Sequence, residues 1–240
     1  MKGIILAGGS GTRLRPLTIA TNKHLLRIGK SPMIEYPLSR LIEAGIDNIH
    51  VVTGGENYQG VVKYLGSGSR WGVRITYSIQ DEAGGIAQAL ALAEPFVDGD
   101  KMVVILGDNI FETSLRNYVE DFKESPVQSE AVLFFQKSDT PHRFGVLKFE
   151  QSRVVDVIEK PKDPPSNKIL TGIYMYTPDV FKIIGTLKPS GRGEYEISDV
   201  NRYYIKGQSA LFAELEGSWT DCGTFETLMK AEFQVDKEEK

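Results

Sequence analysis

The sequence predicts an α/β fold built on a doubly wound mixed sheet, mostly parallel, with antiparallel strands appended to it. Three observations carry this. Short apolar runs alternate with helical periodicity through the first half of the 240 residues. The opening run, Ile4-Ile5-Leu6-Ala7, is apolar at every position and stops at Gly8-Gly9, as a strand buried on both faces does. After about residue 130 the apolar runs crowd together with turns, not helical patterns, between them.

Taken in order, Ile4–Ala7 is the first parallel strand, and the loop Gly8-Gly9-Ser10-Gly11-Thr12-Arg13 follows it. Pro32–Ala44 carries Met33, Leu38, Leu41 and Ile42 near helical spacing. Pro32 suits a first helical position, Gly45 stops the run, and Pro37 is expected to kink it. Ile46–Thr53 reads as a strand, Asn57–Leu65 as a short helix and Val73–Ile79 as another strand. Ile86–Ala93, rich in Ala and Leu, reads as a helix stopped by Pro95, and Met102–Leu106 as a central strand. Ala131–Gln136, Val146–Phe149, Val154–Ile158 and Ile169–Tyr176 supply the antiparallel strands. Asp179–Ile184 and Asp199–Ile205 read as short helices, Thr224–Phe233 as a closing helix, and Asp236–Lys240 as a frayed, charged tail. Lys160–Lys168, rich in Pro and Lys, reads as an exposed loop, so the whole of 1–240 is expected to be one domain.

The totals narrow the function classes. Composition is 41% hydrophobic and 25% charged, ordinary for a globular chain, and such a length buries roughly 70–75% of its unfolded surface. The net charge of −4, with no basic excess, argues against nucleic acid or an anionic membrane as partner. Cys222 is the single cysteine, which excludes an intrachain disulfide and fits a reducing compartment. No apolar run reaches the length of a membrane span, and the N-terminus lacks a signal-peptide layout. A cytoplasmic location is expected.

In a doubly wound sheet, ligands bind outside the carboxyl ends of the strands, so the residues there are the candidates. Glycines without Cβ let the Gly8–Arg13 backbone fold its N–H groups towards an anion, and Arg13 adds a planar charged fork. The loop lacks the Lys-Ser/Thr ending of a P-loop, and Leu14 stands where a dinucleotide fingerprint needs its third glycine. A phosphate loop is favoured over a plain tight turn. Gln80 ends another strand and offers both donor and acceptor to a pyrimidine edge, with Gly85 leaving room for a flat base. A polar strand cap is the competing reading. Asp108 follows a buried strand directly and suits Mg²⁺, or else caps a turn. Asp221 is its natural partner, or else a helix N-terminal residue. Lys160 precedes Pro161, which biases it to an extended conformation beside Glu159; Lys160, Arg192, Glu194 and Glu196 read either as a phosphate site or as a charged turn. His24, His50 and His142 show no metal-ligand spacing; His24 is the one placed to meet substrate. Cys222 has no nucleophile signature.

Taken together, these blocks resemble a known family. Gly8-Gly9-Ser10-Gly11-Thr12-Arg13-Leu14, Pro32-Met33-Ile34, Gly84-Gly85-Ile86-Ala87-Gln88-Ala89, Leu106-Gly107-Asp108-Asn109, Arg143-Phe144-Gly145-Val146, Glu159-Lys160-Pro161, Thr171-Gly172-Ile173-Tyr174, Arg192–Asp199 and Trp219-Thr220-Asp221-Cys222-Gly223-Thr224 follow in register. In that order they resemble the sugar-1-phosphate nucleotidyltransferases, and within them the glucose-1-phosphate thymidylyltransferases in a short form without the C-terminal extension. The resemblance implies a Rossmann-like nucleotidyltransferase fold, with a nucleotide-binding half over about 1–130 and a sugar-phosphate-binding half over about 131–240. It implies nucleotide contacts from Leu6, Gly8, Gly9, Gly11, Thr12, Arg13, Gln80, Gly85 and Asp108, and sugar-phosphate contacts from Gly145, Glu159, Lys160, Gly172 and Arg192. Arg13, Lys23 and Lys160 would be catalytic, and Asp108 with Asp221 would hold Mg²⁺.

The implied reaction joins dTTP to glucose 1-phosphate, giving dTDP-glucose and pyrophosphate, for nucleotide-sugar and polysaccharide biosynthesis. The substrates bring roughly five to six negative charges, which Arg13, Lys23, Lys160, Arg192 and Mg²⁺ would balance. The attacking oxygen is already anionic, so the absence of a general base fits the chemistry. Alternatives are the same reaction with UTP or another hexose 1-phosphate, and a non-catalytic nucleotide-sugar-binding regulatory subunit. Arg27 and Phe144 depart from the family pattern, which has proline and tyrosine there. The short form implies weak or differently built regulation, and a homo-oligomer stays open.

Overall fold

A computed structural model describes residues 1–55, 57–124 and 129–238, with 237 and 238 described by their backbone alone. β1 (Lys2–Ala7) shows why the opening run is apolar throughout. Ile5 and Ala7 face one core, with Leu38 and Leu41 of α1 (Glu35–Glu43), Val61 and Leu65 of α2 (Tyr58–Leu65), and Val119 of α5 (Arg116–Glu124). Ile4 and Leu6 face the other, with Ala87 and Leu90 of α3 (Ile86–Ala91), Val97 of α4 (Glu94–Val97), Val180 of α6 (Val180–Ile184) and Tyr204 of α7 (Ile197–Gly207). Helices on both faces make the sheet doubly wound, as the alternation predicts.

β4 (Asn48–Gly54) and β6 (Met102–Leu106) flank β1 in parallel, and β5 (Arg74–Gln80) lies beyond β4. The chain therefore winds one way from β1 and then returns to its other side, which puts a topological switch point between β1 and β6. The antiparallel part is β8 (Ala131–Lys137), β9 (Gly145–Glu150), β10 (Arg153–Glu159) and β11 (Lys168–Tyr176), the last pairing with β6. The register of β11 against β8 shifts between Leu170 and Tyr174. That irregularity surrounds Gly172 and lets β11 pair with β6 at one end and touch β9 at the other.

Several expectations are corrected. Pro32 does not start a helix: it lies in β3 (Ser31–Pro32), paired with β2 (Arg27–Ile28), so Arg27 is an exposed residue of a small hairpin. Pro37 falls in the first turn of α1, where its missing N–H would have no helical partner. Pro95 does not stop α3 but opens α4. Lys160 is not extended but has φ 42°, with its N–H donating to the Phe144 carbonyl at 2.9 Å. Asp221 ends a strand, β13 (Trp219–Asp221), rather than starting a helix, and β13 pairs with β7 (Asn109–Phe111). The closing helix α8 (Phe225–Glu238) runs past Phe233 through most of the expected tail; 239 and 240 lie outside the described residues. Sequence periodicity also missed α5 and β12 (Ala210–Glu214), which pairs in parallel with β8.

Candidate active site

Two cavities open side by side at the carboxyl ends of β1, β5 and β6. The first, about 290 Å³, is lined by Leu6 of β1 and by Gly8 and Gly9 after it, by Lys23 and His24, by Gln80, Gly85 and Ala89, and by Asp108. The second, about 270 Å³, is lined by Arg13, Asp108, Arg143, Gly145, Glu159, Lys160, Gly172, Arg192 and Asp221 among others. Ile86, Leu106, Asp108 and Glu194 border both, so the cavities meet at Asp108.

Local structure explains how each group arrives there. Gly11, at φ 64°, caps a single 3₁₀ turn, Thr12–Leu14, that swings Arg13 out of the loop. The Arg13 guanidinium then lies across Gly223 from Asp221, near it but not hydrogen-bonded to it. A Cβ on Gly223 would lie 2.7 Å from an Arg13 Nη2 and 2.8 Å from Asp221 Oδ1, so only glycine leaves space between the loop and the carboxylate. Gly11 and Thr12 themselves line neither cavity. Asn22 caps a second 3₁₀ turn, Lys23–Leu25; its Oδ1 accepts from the His24 N–H at 3.0 Å and from Nδ1 at 2.7 Å. Because this oxygen can only accept, Nδ1 carries the proton and the His24 ring is held as one tautomer. Lys23 pairs directly with Asp108.

The carboxylate pair is the electrostatic centre. The β7–β13 ladder sets Asp221 opposite Asn109, and the Cys222 N–H donates to the Asp108 carbonyl at 2.9 Å. Residues 113 positions apart in sequence thereby become neighbours. For Asp108, burial opposes ionisation, but Lys23, His24 and donation from Asn109 outweigh it and hold the carboxyl below its usual range. Asp221 goes the other way. Burial and the charge on Asp108 raise it to about 6, against Lys23, Arg13 and Arg143. Asp221 Oδ1 is buried and has no hydrogen-bond partner among the described residues. A buried, unpartnered carboxylate oxygen beside a second carboxylate suits Mg²⁺, which takes one or two carboxylates and completes its shell with substrate oxygens and water. No group of three or more His, Cys, Asp or Glu among the described residues could hold a metal unaided. Burial lowers His24 to about 3, so it faces the cavity neutral, and pushes the Cys222 thiol up, which leaves it inert.

Asn109 lines the second cavity and ties its walls together, a role that no local pattern in the sequence marks. It is 2% exposed, its Oδ1 accepts from Gly172 N–H at 3.0 Å and Trp219 Nε1–H at 2.7 Å, and its Nδ2 donates to Asp108 Oδ1 at 3.1 Å. Arg143 was also missed, because a lone arginine before β9 carries no spacing signal. At the far end of the second cavity, Arg192 makes a two-pronged pair with Glu196 and lies 3.2 Å from Glu194 and 3.5 Å from Glu159. Its charge is balanced by these carboxylates, two of which, Glu194 and Glu196, the sequence already placed beside it. Ser198 donates to Glu159, and Phe144, packed edge-on against Trp219 at 5.5 Å, lines the same cavity.

Gly8, Gln80, Gly85, Lys23 and Asp108 are thus brought together in one cavity, and Arg13, Asp108, Gly145, Glu159, Lys160, Gly172, Arg192 and Asp221 in the other. The profile of the family described as Nucleotidyl transferase matches residues 2–238. The chain belongs to the nucleotidyl transferase family. Among the relatives of this nucleotidyltransferase, the glucose-1-phosphate thymidylyltransferase of Neisseria meningitidis is 42% identical over 236 residues, covering 96% of this chain and 81% of that one. That of Mycolicibacterium smegmatis is 41% identical with the same coverage. A Bacillus anthracis protein solved with sucrose, provisionally described as a glucose-1-phosphate thymidylyltransferase, superposes with TM-score 0.92 at 49% identity, over 97% of this chain and 94% of that one. A UDP-glucose pyrophosphorylase solved with UDP-glucose superposes with TM-score 0.87 at 26% identity, over 99% and 98%. The nucleotidyltransferase is thus an enzyme of the sugar-1-phosphate class. No helix among its described residues is long and apolar enough to cross a membrane.

Proposed function

We propose that this enzyme transfers the thymidylyl group of dTTP to glucose 1-phosphate, giving dTDP-glucose and pyrophosphate, with Mg²⁺ held by Asp108 and Asp221. The observation that carries the reading is the junction of two cavities at Asp108, with Arg13, Lys23 and Asp221 around it. The first cavity offers glycine backbone and the Gln80 amide to a base, and the second offers carboxylates and peptide groups to sugar hydroxyls. The phosphates would then meet between them.

In this reading the Gly8–Arg13 loop and Lys23 bind the triphosphate, and Lys160 and Arg143 orient the sugar phosphate. Arg192, already neutralised by Glu196, would shift partners to reach a phosphate, or stay and hold Glu159 towards the sugar. A sugar-phosphate oxygen attacks the α-phosphorus, the bond to the bridging oxygen opposite breaks, and its electron pair leaves with pyrophosphate. Mg²⁺, when bound, supplies further neutralisation of the phosphate charge. Catalysis is then positioning and charge balance, without a proton-abstracting side chain.

The relatives described as thymidylyltransferases favour dTTP, while the structural neighbour solved with UDP-glucose favours a second reading in which UTP serves as well. Pyrophosphate release decides. With Mg²⁺, dTTP, UTP, CTP, GTP and ATP are each paired with glucose, galactose and mannose 1-phosphate. Fast release confined to dTTP and glucose 1-phosphate supports the proposal; equal UTP rates replace it with the second reading. No release from any pair, or release independent of Mg²⁺, defeats it.

A further inference from the structure

We propose that Gln88, which lines neither cavity, determines which pyrimidine the enzyme accepts by fixing the direction of the Gln80 amide. The inference rests on the base occupying the first cavity, as in the reading above.

An amide side chain can be turned end for end at almost no steric cost, so its direction is set by its hydrogen-bond partners. Here the partners fix it, with the Gly84 N–H shared between Gln88 and the Glu82 carbonyl at 2.8 Å. The Gly84 backbone N–H, which can only donate, lies 3.0 Å from Gln88 Oε1 and identifies that atom as oxygen. The same oxygen accepts from Gln80 Nε2 at 2.8 Å. The Gly85 carbonyl, which can only accept, lies 3.3 Å from that Nε2. Turning the Gln80 amide would set oxygen against two acceptors. Gln80 Oε1 therefore faces the cavity floor at Gly8, where it is the atom closest to the position a Cβ would take. Gly85 lines the same cavity, and its N–H has no partner among the described residues.

The cavity thus shows a base an acceptor next to a donor. Thymine and uracil answer with N3–H next to a carbonyl, whereas cytosine has a lone pair at N3 that Oε1 repels. Without an acceptor at position 88, only the longer contact to Gly85 opposes the turn. A turned amide joins the Gly85 N–H as a second donor, and the pair suits N3 and O2 of cytosine. Gln88 is a positioning residue that acts through Gln80.

The test is the ratio of kcat/KM for dTTP over dCTP, with glucose 1-phosphate, in wild type and in Gln88→Glu, Gln88→Met and Gln88→Lys. Gln88→Glu keeps an acceptor for both donors and should hold the ratio within about threefold of wild type, whatever its effect on turnover. Gln88→Met should lower the ratio about tenfold or more, and Gln88→Lys, which brings a donor that favours the turned amide, at least as far. A packing role alone would lower both substrates together and leave the ratio unchanged. Folded Gln88→Met or Gln88→Lys enzyme with the wild-type ratio overturns the inference, as does Gln88→Glu enzyme that loses it. Wild-type enzyme without preference for dTTP or UTP over dCTP refutes instead the placement of the base, and this inference with it.

Discussion

Replacing Asn109 by alanine tests how the site is assembled. The side chain satisfies two donors, the Gly172 N–H at 3.0 Å and Trp219 Nε1–H at 2.7 Å, and both belong to buried or nearly buried residues. Its removal orphans both. Each unsatisfied buried donor costs about 1–3 kcal/mol, so the expected loss is about 2–6 kcal/mol, a large share of the roughly 5–15 kcal/mol that holds a typical domain. Urea unfolding followed by tryptophan fluorescence measures it, as a midpoint lowered by about 1–2 M. Turnover should fall too, because Asp108 loses the 3.1 Å bond from Nδ2 that orients it. Asn109→Asp separates the two effects. Its carboxylate still accepts from Gly172 and Trp219, so it should lose less stability than alanine, but it sets a like charge against Asp108 and should impair turnover as severely. A loss below about 1 kcal/mol for Asn109→Ala, or equal losses for the two variants, would refute the idea that this side chain knits β7, β11 and β13 together.

Other perturbations read different parts of the molecule. His50 is 5% exposed, bonded to Thr76 and Ser78, and lowered by burial to about 4. The unfolded chain takes up that proton below about 6.5 while the folded chain resists it until about 4. Its contribution is therefore whole above pH 6.5 and is lost as pH falls towards 4, at up to about 1.4 kcal/mol per pH unit. His50→Gln should flatten that slope in urea titrations between pH 7 and 4.5, and an unchanged slope would count against the assignment. Asp221, raised to about 6, should make Mg²⁺ binding by calorimetry weaken about tenfold per unit below pH 6 and level off above it. Asp221→Asn should bind more weakly with no such break. Gly223→Ala would push a methyl to within 2.7 Å of Arg13 and 2.8 Å of Asp221. It should cost about tenfold or more in kcat while the melting temperature moves by only a few degrees; unchanged kcat would show that Arg13 need not sit beside that carboxylate.

Much of the site was legible because strand ends in a parallel sheet converge by topology. Gly8, Gln80 and Asp108 each follow an apolar run, and a doubly wound sheet collects such positions at one edge whatever the details of packing. The direction of Gln80 was not legible, since it depends on the Gly84 N–H reaching Gln88 four residues on. Lys160 misled for a related reason. The local bias before proline favours an extended residue, but the hydrogen bond to the Phe144 carbonyl holds Lys160 in the left-handed region and turns its side chain into the cavity. Around Arg192 the sequence showed Glu194 and Glu196 but not Glu159, which joins them only after β10 and the loop before α7 are packed.

Periodicity and punctuation alone determined much of the layering: the runs that form β1, β4 to β6 and β8 to β11, that β1 is apolar on both faces, and that a glycine loop follows it. These are nearest-neighbour properties of the chain, set by side-chain period and by backbone freedom at glycine. Tertiary structure decided the pairing of Asp108 with Asp221. That contact needs β7 and β13 to form a ladder across more than a hundred residues, and Asn109 to bridge to Gly172 where β11 breaks register. No local pattern encodes it, because the energy that selects it lies in buried hydrogen bonds whose two ends are distant in sequence.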